Sequence, residues 1–571
     1  MDQCQVTVSG FITGELFKLG VFYVFGYQGA NISYLIDAVS NHPGLNYVQT
    51  YHEQGAAFAA NGYAQASQVL GVAIASSGPG ALNLVTGIAN AYCDSIPTLF
   101  ICGDLSHRYQ KNTLPLRQDG FQSTDIVSIV RPITKYAELV RSPDDIRRCF
   151  ERAIFEATNG RRGPVLLSIP HWIQRAEIAP ATLKGFVAEP PEREQDAESI
   201  SWEVLDFLSR SRRPLILLGG GCANPETIST LMRFLERNPL PVVVSLCGLS
   251  VISHDHPSYI GFIGDYGHRH ANLALAASDC LIVLGSRMDE RQVGFLKDFR
   301  ENKTIVHVDI DPSELRCRSD HYLPEKGRVD DFLNGLAPVC LDQASLSEWK
   351  SDLRQLKKKY PVCMSSDKLS PAPFLSELFG RLAANAQVYV DVGLHQMCTA
   401  QSGVLTNGKK LYFSGGLGSM GYALPASIGG HLAEPGRQTL CIAGDGGLMM
   451  SLPELQTITR DRLDVKIIVL NNHCLGMVRN YQMAALGGRT VGTVDGYLAG
   501  DLNKIAHAFD LKFFRIEKQG DVEMMGEILR NEGPVLVEVV FPDDLMPSPA
   551  SVNYPLHDDV LFLQGLTNEA K

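Results

Sequence analysis

The chain has 571 residues, 45% of them hydrophobic and 20% charged, with no low-complexity tract; this is the composition of a globular protein too long for one core, and it predicts three or four domains. A formal net charge of −11 argues against a nucleic-acid partner, because phosphate contacts need clustered Lys and Arg. The 13 cysteines are scattered without CxxC or Cys/His ligand spacing, so neither a zinc site nor a disulfide framework is expected, and a reducing cytoplasm is the predicted compartment. MDQCQVTVSG reads neither as a signal peptide nor as a transit sequence.

The N-terminal third alternates strand and helix. VFYVFG is a strand, Tyr27-Gln28-Gly29 a turn, and a helix is predicted from about Ile32. NYVQTYHEQGAAFAANGYAQAS passes from strand to helix with Glu53 at the junction, where an acidic residue suits the helix dipole. VLGVAIASSGPGALNLVTGIANAYCDSIPTLFICGD is strand, Gly-Pro turn, helix and strand again, which predicts a doubly wound parallel sheet. Gln54 to Cys93 contains no Asp, Glu, Lys or Arg, yet SSGPG and its Asn, Gln and Ser argue against a membrane span. Burial on both faces, within a large sheet or at a subunit interface, is the expected reason. RRGPVLLSIP closes a first domain over residues 1–180, and AEPPEREQDAES is a linker.

A second α/β domain is predicted over residues 195–340, with strands in RRPLILLGGG, PVVVSL, DCLIVLGSRMD and KTIVHVDIDPSEL. Its Gly219-Gly220-Gly221 lacks GxGxxG spacing, so it carries no dinucleotide fingerprint. KKKYPVCMSSDKLSPAP is a second linker, and a third domain covers residues 365–550. It contains the most informative stretch, GDGGLMMSLPELQTITRDRLDVKIIVLNN, residues 444–472. This is a strand–turn–helix–strand unit, with Asp445 and Asn472 expected at the carboxyl ends of neighbouring parallel strands, the edge where open α/β sheets bind ligands. A carboxylate and an amide oxygen suit Mg²⁺, and the turn glycines Gly444, Gly446 and Gly447 let backbone approach a phosphate. The strand GPVLVEVVF and a polar, Pro-containing tail end the chain; the tail is a candidate cover for the site.

The 27 positions from Asp445 to Asn472, with an apolar strand running into the double Asn, resemble the metal–diphosphate motif of thiamine diphosphate (ThDP) enzymes. HEQGAAFAANGYA and SSGPGALNLVTGIANAYCDSIP resemble the N-terminal domain of acetohydroxyacid (acetolactate) synthases within that superfamily. The resemblance covers nearly the whole chain. It implies three doubly wound parallel-sheet domains: pyrimidine-binding, central and diphosphate-binding.

It also implies roles. Glu53 hydrogen-bonds the cofactor's aminopyrimidine and promotes the tautomer that generates the reactive carbanion. Phe121, Gln122 and Lys135 line the reacting end, matched through GFQSTDIVSIVRPITKYAELV. Gly29 lies in the turn near the reacting carbon. Val392, Gly393 and His395 neighbour the cofactor, matched through VYVDVGLHQMCTAQ; Met420 in SGGLGSMG props it into a V shape, and Met477 lies against the pyrimidine. The Cys474 carbonyl joins Asp445 and Asn472 as the third protein ligand of Mg²⁺. FAD, present in many members without a redox role, is implied by GSRMDERQVG and HVDIDPSE, with Arg161, Arg287, Arg291 and Asp309 as contacts, although FIGDYGHRHAN departs from the family pattern near the flavin. A homodimer is the implied minimum and a tetramer common, each cofactor spanning two subunits, so that Glu53 and Asp445 of one chain serve different sites.

The implied reaction decarboxylates a 2-oxo acid, pyruvate in the family, and adds the two-carbon unit to a carbonyl acceptor. Gln28, Ala30, Ser123, Leu394, Cys398 and Tyr481 depart from the acetolactate-synthase pattern, Tyr481 and Cys398 standing where Trp is usual. These changes point to a specialised carboligase with an acceptor other than a second 2-oxo acid. Acetolactate synthase proper, a 2-oxo acid decarboxylase, a flavin- or nicotinamide-dependent oxidoreductase and a catalytically silent ThDP-fold protein are the alternatives.

Overall fold

In the computed structural model the described residues are 5–105, 117–118, 120–188, 202–293, 303–315, 321–336, 342–362, 368–406 and 408–541. Most of the AEPPEREQDAES linker, part of the second linker and the C-terminal tail beyond Phe541 lie outside them. The described residues form three six-stranded parallel sheets and one two-stranded antiparallel sheet, Val6–Thr7 with Glu177–Ile178. The first has the spatial order Asn46–Gln49, Tyr23–Gly26, Gly71–Ala75, Thr98–Asp104, Pro164–Pro170, Tyr136–Leu139. The third has Lys410–Phe413, Gln387–Val390, Thr439–Gly444, Val465–Asn471, Val535–Val540, Lys512–Ile516. Numbered by appearance in each domain, both orders are 2-1-3-4-6-5.

The central sheet is wound differently: Tyr259–Phe262, Val242–Val244, Pro214–Leu218, Cys280–Leu284, Thr304–Asp309, Tyr322–Lys326, which is 3-2-1-4-5-6. That is the order of dinucleotide-binding folds, with its switch point between Pro214–Leu218 and Cys280–Leu284. The inner strands of all three sheets are near-continuous apolar runs, because helices cover both faces; Val465–Asn471 and Thr98–Cys102 are buried throughout. One outer strand, Tyr322–Lys326, carries Pro324 and charged residues, as an edge that must not recruit further strands does.

The first and third domains meet through two helices, Glu53–Ser67 and Ala423–Ala433. A Cβ on Gly62 would stand 2.1 Å from the Ala426 carbonyl oxygen, and one on Gly429 would stand 1.8 Å from that of Ala59. Only bare backbone permits this approach. The first helix of the uncharged Gln54–Cys93 stretch is thus packed against the third domain of the same chain, while Leu82 and Tyr92 farther along the stretch are exposed. Among the described residues no helix is long and apolar enough to cross a membrane.

Candidate active site

At the carboxyl edge of the first sheet, the loops that follow Tyr23–Gly26, Asn46–Gln49 and Gly71–Ala75 converge. Glu53 opens its helix with its side chain nearly buried, and its Oε2 accepts a 2.9 Å hydrogen bond from Asn83 Nδ2. Asn83 comes from the short helix Pro79–Asn83, started by Pro79 in the first helical position. Glu53 Oε1 lies 3.0 Å from where a Cβ on Gly80 would be, so the Gly-Pro-Gly turn leaves the carboxylate room. A Cβ on Gly78, which has φ +60°, would stand 2.9 Å from the Gln122 carbonyl oxygen, so the bare backbone brings Gln122 to the same turn. Gln122 itself has φ 62°, a left-handed conformation, and Phe121 projects outward, 86% exposed. Gly29 rests against Ser76.

Lys135 corrects an expectation. It precedes the strand Tyr136–Leu139, and its backbone N–H donates to the Pro164 carbonyl, so it sits at the amino edge of the sheet, opposite Glu53. Its ammonium donates to the Asn159 carbonyl at 2.7 Å, and burial lowers its pKa. The chain does not bring it to Glu53 and Gln122.

The third sheet presents the second half. Strands Thr439–Gly444 and Val465–Asn471 are hydrogen-bonded parallel neighbours with Gly444 opposite Leu470, and Asp445 and Asn472 follow their carboxyl ends as expected. Asp445 is buried, which raises its pKa, and its Oδ2 accepts the Tyr497 hydroxyl at 3.0 Å. A Cβ on Gly446 would meet Leu475 at 2.4 Å, Tyr497 Oη at 3.0 Å and the Met420 methyl at 3.6 Å, so these three side chains close over the Gly-Asp-Gly turn. A Cβ on Gly476 would meet Leu394 at 2.5 Å and Asn472 Nδ2 at 2.7 Å. Met477, partly buried, follows in the helix Gly476–Ala485, and burial raises the Tyr497 pKa, with smaller contributions from Asp445 and Cys474.

His395 is packed over Gly393 and Gly444, at 2.7 and 2.9 Å from their would-be Cβ positions. Burial pushes its pKa down to about 4, so the ring is neutral, and its Nε2 has no hydrogen-bond partner among the described residues. A buried polar atom without a partner above bare glycine backbone is free to hydrogen-bond a polar ligand group. Among the described residues no cluster of three His, Cys, Asp or Glu forms a metal site. Asp445, the Asn472 amide and the Cys474 carbonyl instead offer oxygen ligands with a single negative charge, a set suited to Mg²⁺ bridged to a diphosphate.

Three carboxylates, Asp391 and Glu454 buried and Asp94 half-buried, carry contacts that the sequence alone does not show. Asp391 accepts the N–H groups of Val392, Gly421 and Ala423 at 2.8, 3.0 and 2.9 Å, fixing both the Val392-Gly393 turn and the loop that carries Met420; burial pushes it up to about 6 against these hydrogen bonds. Asp94 reaches from the first domain to the N–H groups of Gly415 and Gly416 in the same loop, and burial pushes it too up to about 6. Glu454 reaches from the third domain to Tyr51 and His52. Of the departing positions, Cys398 lies in the hydrophobic core and Leu394 is buried beside Gly476, whereas Tyr481 is 68% exposed.

At the central switch point, Gly219 and Gly221 pack on the backbone of Gly285, which has φ +55°. Arg287 follows and reaches toward Gly416. Asp309 accepts the Asp311 N–H and is raised by burial. Arg161 spans from the first domain, donating to Ser95 Oγ at 2.9 Å, Asp311 at 2.9 Å and Glu314 at 2.6 Å. Arg291 stands apart in the short helix Glu290–Val293, its carbonyl accepting the Asp265 N–H. The glycines, Asp309 and Arg287 fit a nucleotide at a switch point; Arg161 already has carboxylate partners.

Three family models match in series: the thiamine pyrophosphate enzyme N-terminal TPP binding domain over residues 6–129, the central domain over 202–336 and the C-terminal TPP binding domain over 391–539. Each falls on one of the three sheets. The chain belongs to the thiamine pyrophosphate enzymes of acetolactate-synthase type. It is 34% identical over 529 residues to the acetolactate synthase isozyme 2 large subunit of Escherichia coli K12, covering 91% of this chain and 93% of that one. It is 32% identical over 567 residues to the acetolactate synthase large subunit of Lactococcus lactis, covering 98% and 97%. Against acetolactate synthase 1, chloroplastic, of Zea mays the identity is 34%, over 92% of this chain and 84% of the maize protein. As a ThDP-dependent enzyme, the chain keeps its two polar clusters on the domains whose models carry the TPP-binding description.

Proposed function

We propose that the chain is a ThDP- and Mg²⁺-dependent carboligase that decarboxylates a 2-oxo acid, pyruvate first, and transfers the two-carbon unit to a carbonyl acceptor other than a second 2-oxo acid. The observation that carries this reading is a contrast. The polar groups around Glu53, Asp445 and His395 are tightly packed, with His395 Nε2 left unpartnered, while Gln28, Ala30 and the exposed Tyr481 differ from the family pattern. When bound, ThDP supplies an electron sink for decarboxylation.

The chain's own residues do the rest. Asp445, Asn472 and the Cys474 carbonyl hold Mg²⁺, and Gly444, Gly446 and Gly447 admit the diphosphate beside Val392, Gly393 and His395. Met420 and Met477 shape the cofactor's middle. Glu53, oriented by Asn83, accepts and returns a proton at the aminopyrimidine. Gln122 and Phe121 face the substrate side from the loop on Gly78, with Gly29 across the turn. Lys135 has no part in one chain's cluster.

FAD would bind at the central switch point without a redox role, with Gly219, Gly285, Arg287 and Asp309 to hold it and Arg161 and Arg291 farther out. Glu53 and Asp445 of one chain serve different sites of a cytoplasmic homodimer or tetramer. Acetolactate synthase proper is the second reading, favoured by the names of the E. coli and L. lactis relatives.

Carbon-13-labelled pyruvate with ThDP, Mg²⁺ and FAD decides between them. Labelled CO₂ with little acetolactate supports the specialised carboligase, and robust acetolactate formation at low pyruvate overturns it in favour of the second reading. Flavin absorbance of the purified protein tests the central site.

A further inference from the structure

Helix Glu454–Arg460 begins shortly after the Asp445 turn, yet its side chains reach into the first domain. Glu454 Oε1 accepts the N–H groups of Tyr51 and His52, both at 3.1 Å, and Oε2 accepts the Thr457 hydroxyl at 2.8 Å. One turn on, the Thr457 hydroxyl also lies 3.4 Å from the Gln49 carbonyl, and Arg460 donates to that carbonyl at 2.8 Å while its guanidinium lies over the Tyr51 ring. A single helix therefore holds both ends of the Gln49–His52 connection, the segment that delivers Glu53 to its place.

The approach is possible because residue 55 is glycine: a Cβ there would stand 2.3 Å from Glu454 Oε1. Glu454 is 1% exposed, so its carboxyl has left water and depends on these partners. Burial pushes it up to about 7, against the pull of the Thr457 hydroxyl, the Tyr51 and His52 N–H groups and the Arg460 charge.

We propose that Glu454 is a positioning residue: from the diphosphate-binding domain it clamps the backbone of Tyr51 and His52 and so sets the Glu53 carboxylate that works on the pyrimidine. This rests on the role given to Glu53 above. If one chain's Glu53 and Asp445 serve different sites, the clamp also joins the two sites of a dimer through a single helix.

Two readouts test it. In the cofactor-free wild type, the Tyr51 and His52 amides exchange with deuterium as slowly as core amides; exchange at the rate of an open loop overturns the proposal. Glu454→Met keeps the length and removes the acceptor, and it should speed exchange of those amides about tenfold or more. In the loaded protein the same variant should slow deuterium uptake at the cofactor's reactive carbon about tenfold, with ThDP affinity within about threefold of wild type. Glu454→Gln retains a carbonyl acceptor and should stay near wild type in both readouts.

Wild-type behaviour of Glu454→Met, or an equal loss in Glu454→Gln, overturns the clamp. The wild-type amide rates and Glu454→Gln decide the question even where Glu454→Met does not fold. Glu53→Gln run in parallel separates the two claims: unchanged uptake in that variant removes the role given to Glu53, while the amide arm still judges Glu454.

Discussion

The first and third domains have the same strand order, 2-1-3-4-6-5, and offer opposite chemistry at corresponding places. After its third strand, Gly71–Ala75, the first domain turns through Gly78-Pro79-Gly80 and presents Glu53 with an amide partner, Asn83. After its third strand, Thr439–Gly444, the third domain turns through Gly444-Asp445-Gly446 and presents a carboxylate, an amide and bare backbone. The topology delivers loops to one edge; the residues in the turn decide whether that edge suits the proton transfer or the cation proposed for it. The central sheet, wound 3-2-1-4-5-6, presents glycines and Arg287 and neither of these devices.

The sharpest way to break this division of labour is at Glu53. Glu53→Gln keeps the shape and the Asn83 contact but not the proton, and kcat should fall roughly a hundred- to ten-thousandfold with little change in the KM for pyruvate. Steady-state kinetics at saturating ThDP checks it, and a fall confined to KM would move Glu53 out of the proton-transfer role.

The next comparison is between Asp94 of the first domain and Asp391 of the third, which grip the Gly415–Ala423 loop from two sides. Both carboxyls are raised by burial from 3.8 to about 6. The folded chain therefore binds more protons than the unfolded chain between those values, and stability is full below about pH 4 and lost as pH rises through 6. Each shift is worth about 3 kcal/mol. Urea unfolding of cofactor-free protein should show this slope, and Asp94→Asn should remove the first-domain share while leaving that of Asp391.

A smaller effect is expected where the twin domains touch. Gly62→Ala drives a methyl into the Ala426 carbonyl, 2.1 Å away, and should cost about 1–3 kcal/mol. Gly436→Ala, with nothing within 4 Å of its Cβ position, is the control. Equal thermal midpoints for the two variants would show that the helices Glu53–Ser67 and Ala423–Ala433 part easily.

What could be read from the chain alone followed from local pattern. Asp445 and Asn472 stand at the ends of apolar strands, and Glu53 opens a helix after a strand, so their edge was predictable from periodicity and turn residues. Asp94, Asp391, Glu454 and Tyr497 were not legible, because each acts through a contact that no local pattern encodes; Glu454 and Tyr51 are 403 residues apart. Tyr497 lies in a glycine-rich stretch without periodicity, and only the fold brings its hydroxyl to Asp445. Lys135 shows the opposite error. The resemblance of GFQSTDIVSIVRPITKYAELV places it with Phe121 and Gln122, but helix Ile126–Val130 intervenes and the chain crosses to the amino edge before Tyr136. Cys398 likewise follows His395 closely and faces the core.

The finest distinction concerns Tyr481, proposed for the acceptor side and exposed on the helix Gly476–Ala485. The helix belongs to the third domain, so a change here should leave the proton chemistry of Glu53 untouched and act on what the reacting carbon meets. Trp in place of Tyr adds ring area and removes a hydroxyl, which alters both the width and the polarity of the approach. A difference of this size in a pocket is worth about 1–3 kcal/mol between competing acceptors. Tyr481→Trp should therefore raise the yield of acetolactate relative to the products of other carbonyl acceptors about tenfold, with total CO₂ release from labelled pyruvate nearly unchanged. A parallel fall in CO₂ release would place Tyr481 on the donor side and move the acceptor distinction to Gln28 and Ala30 across the first-domain turn.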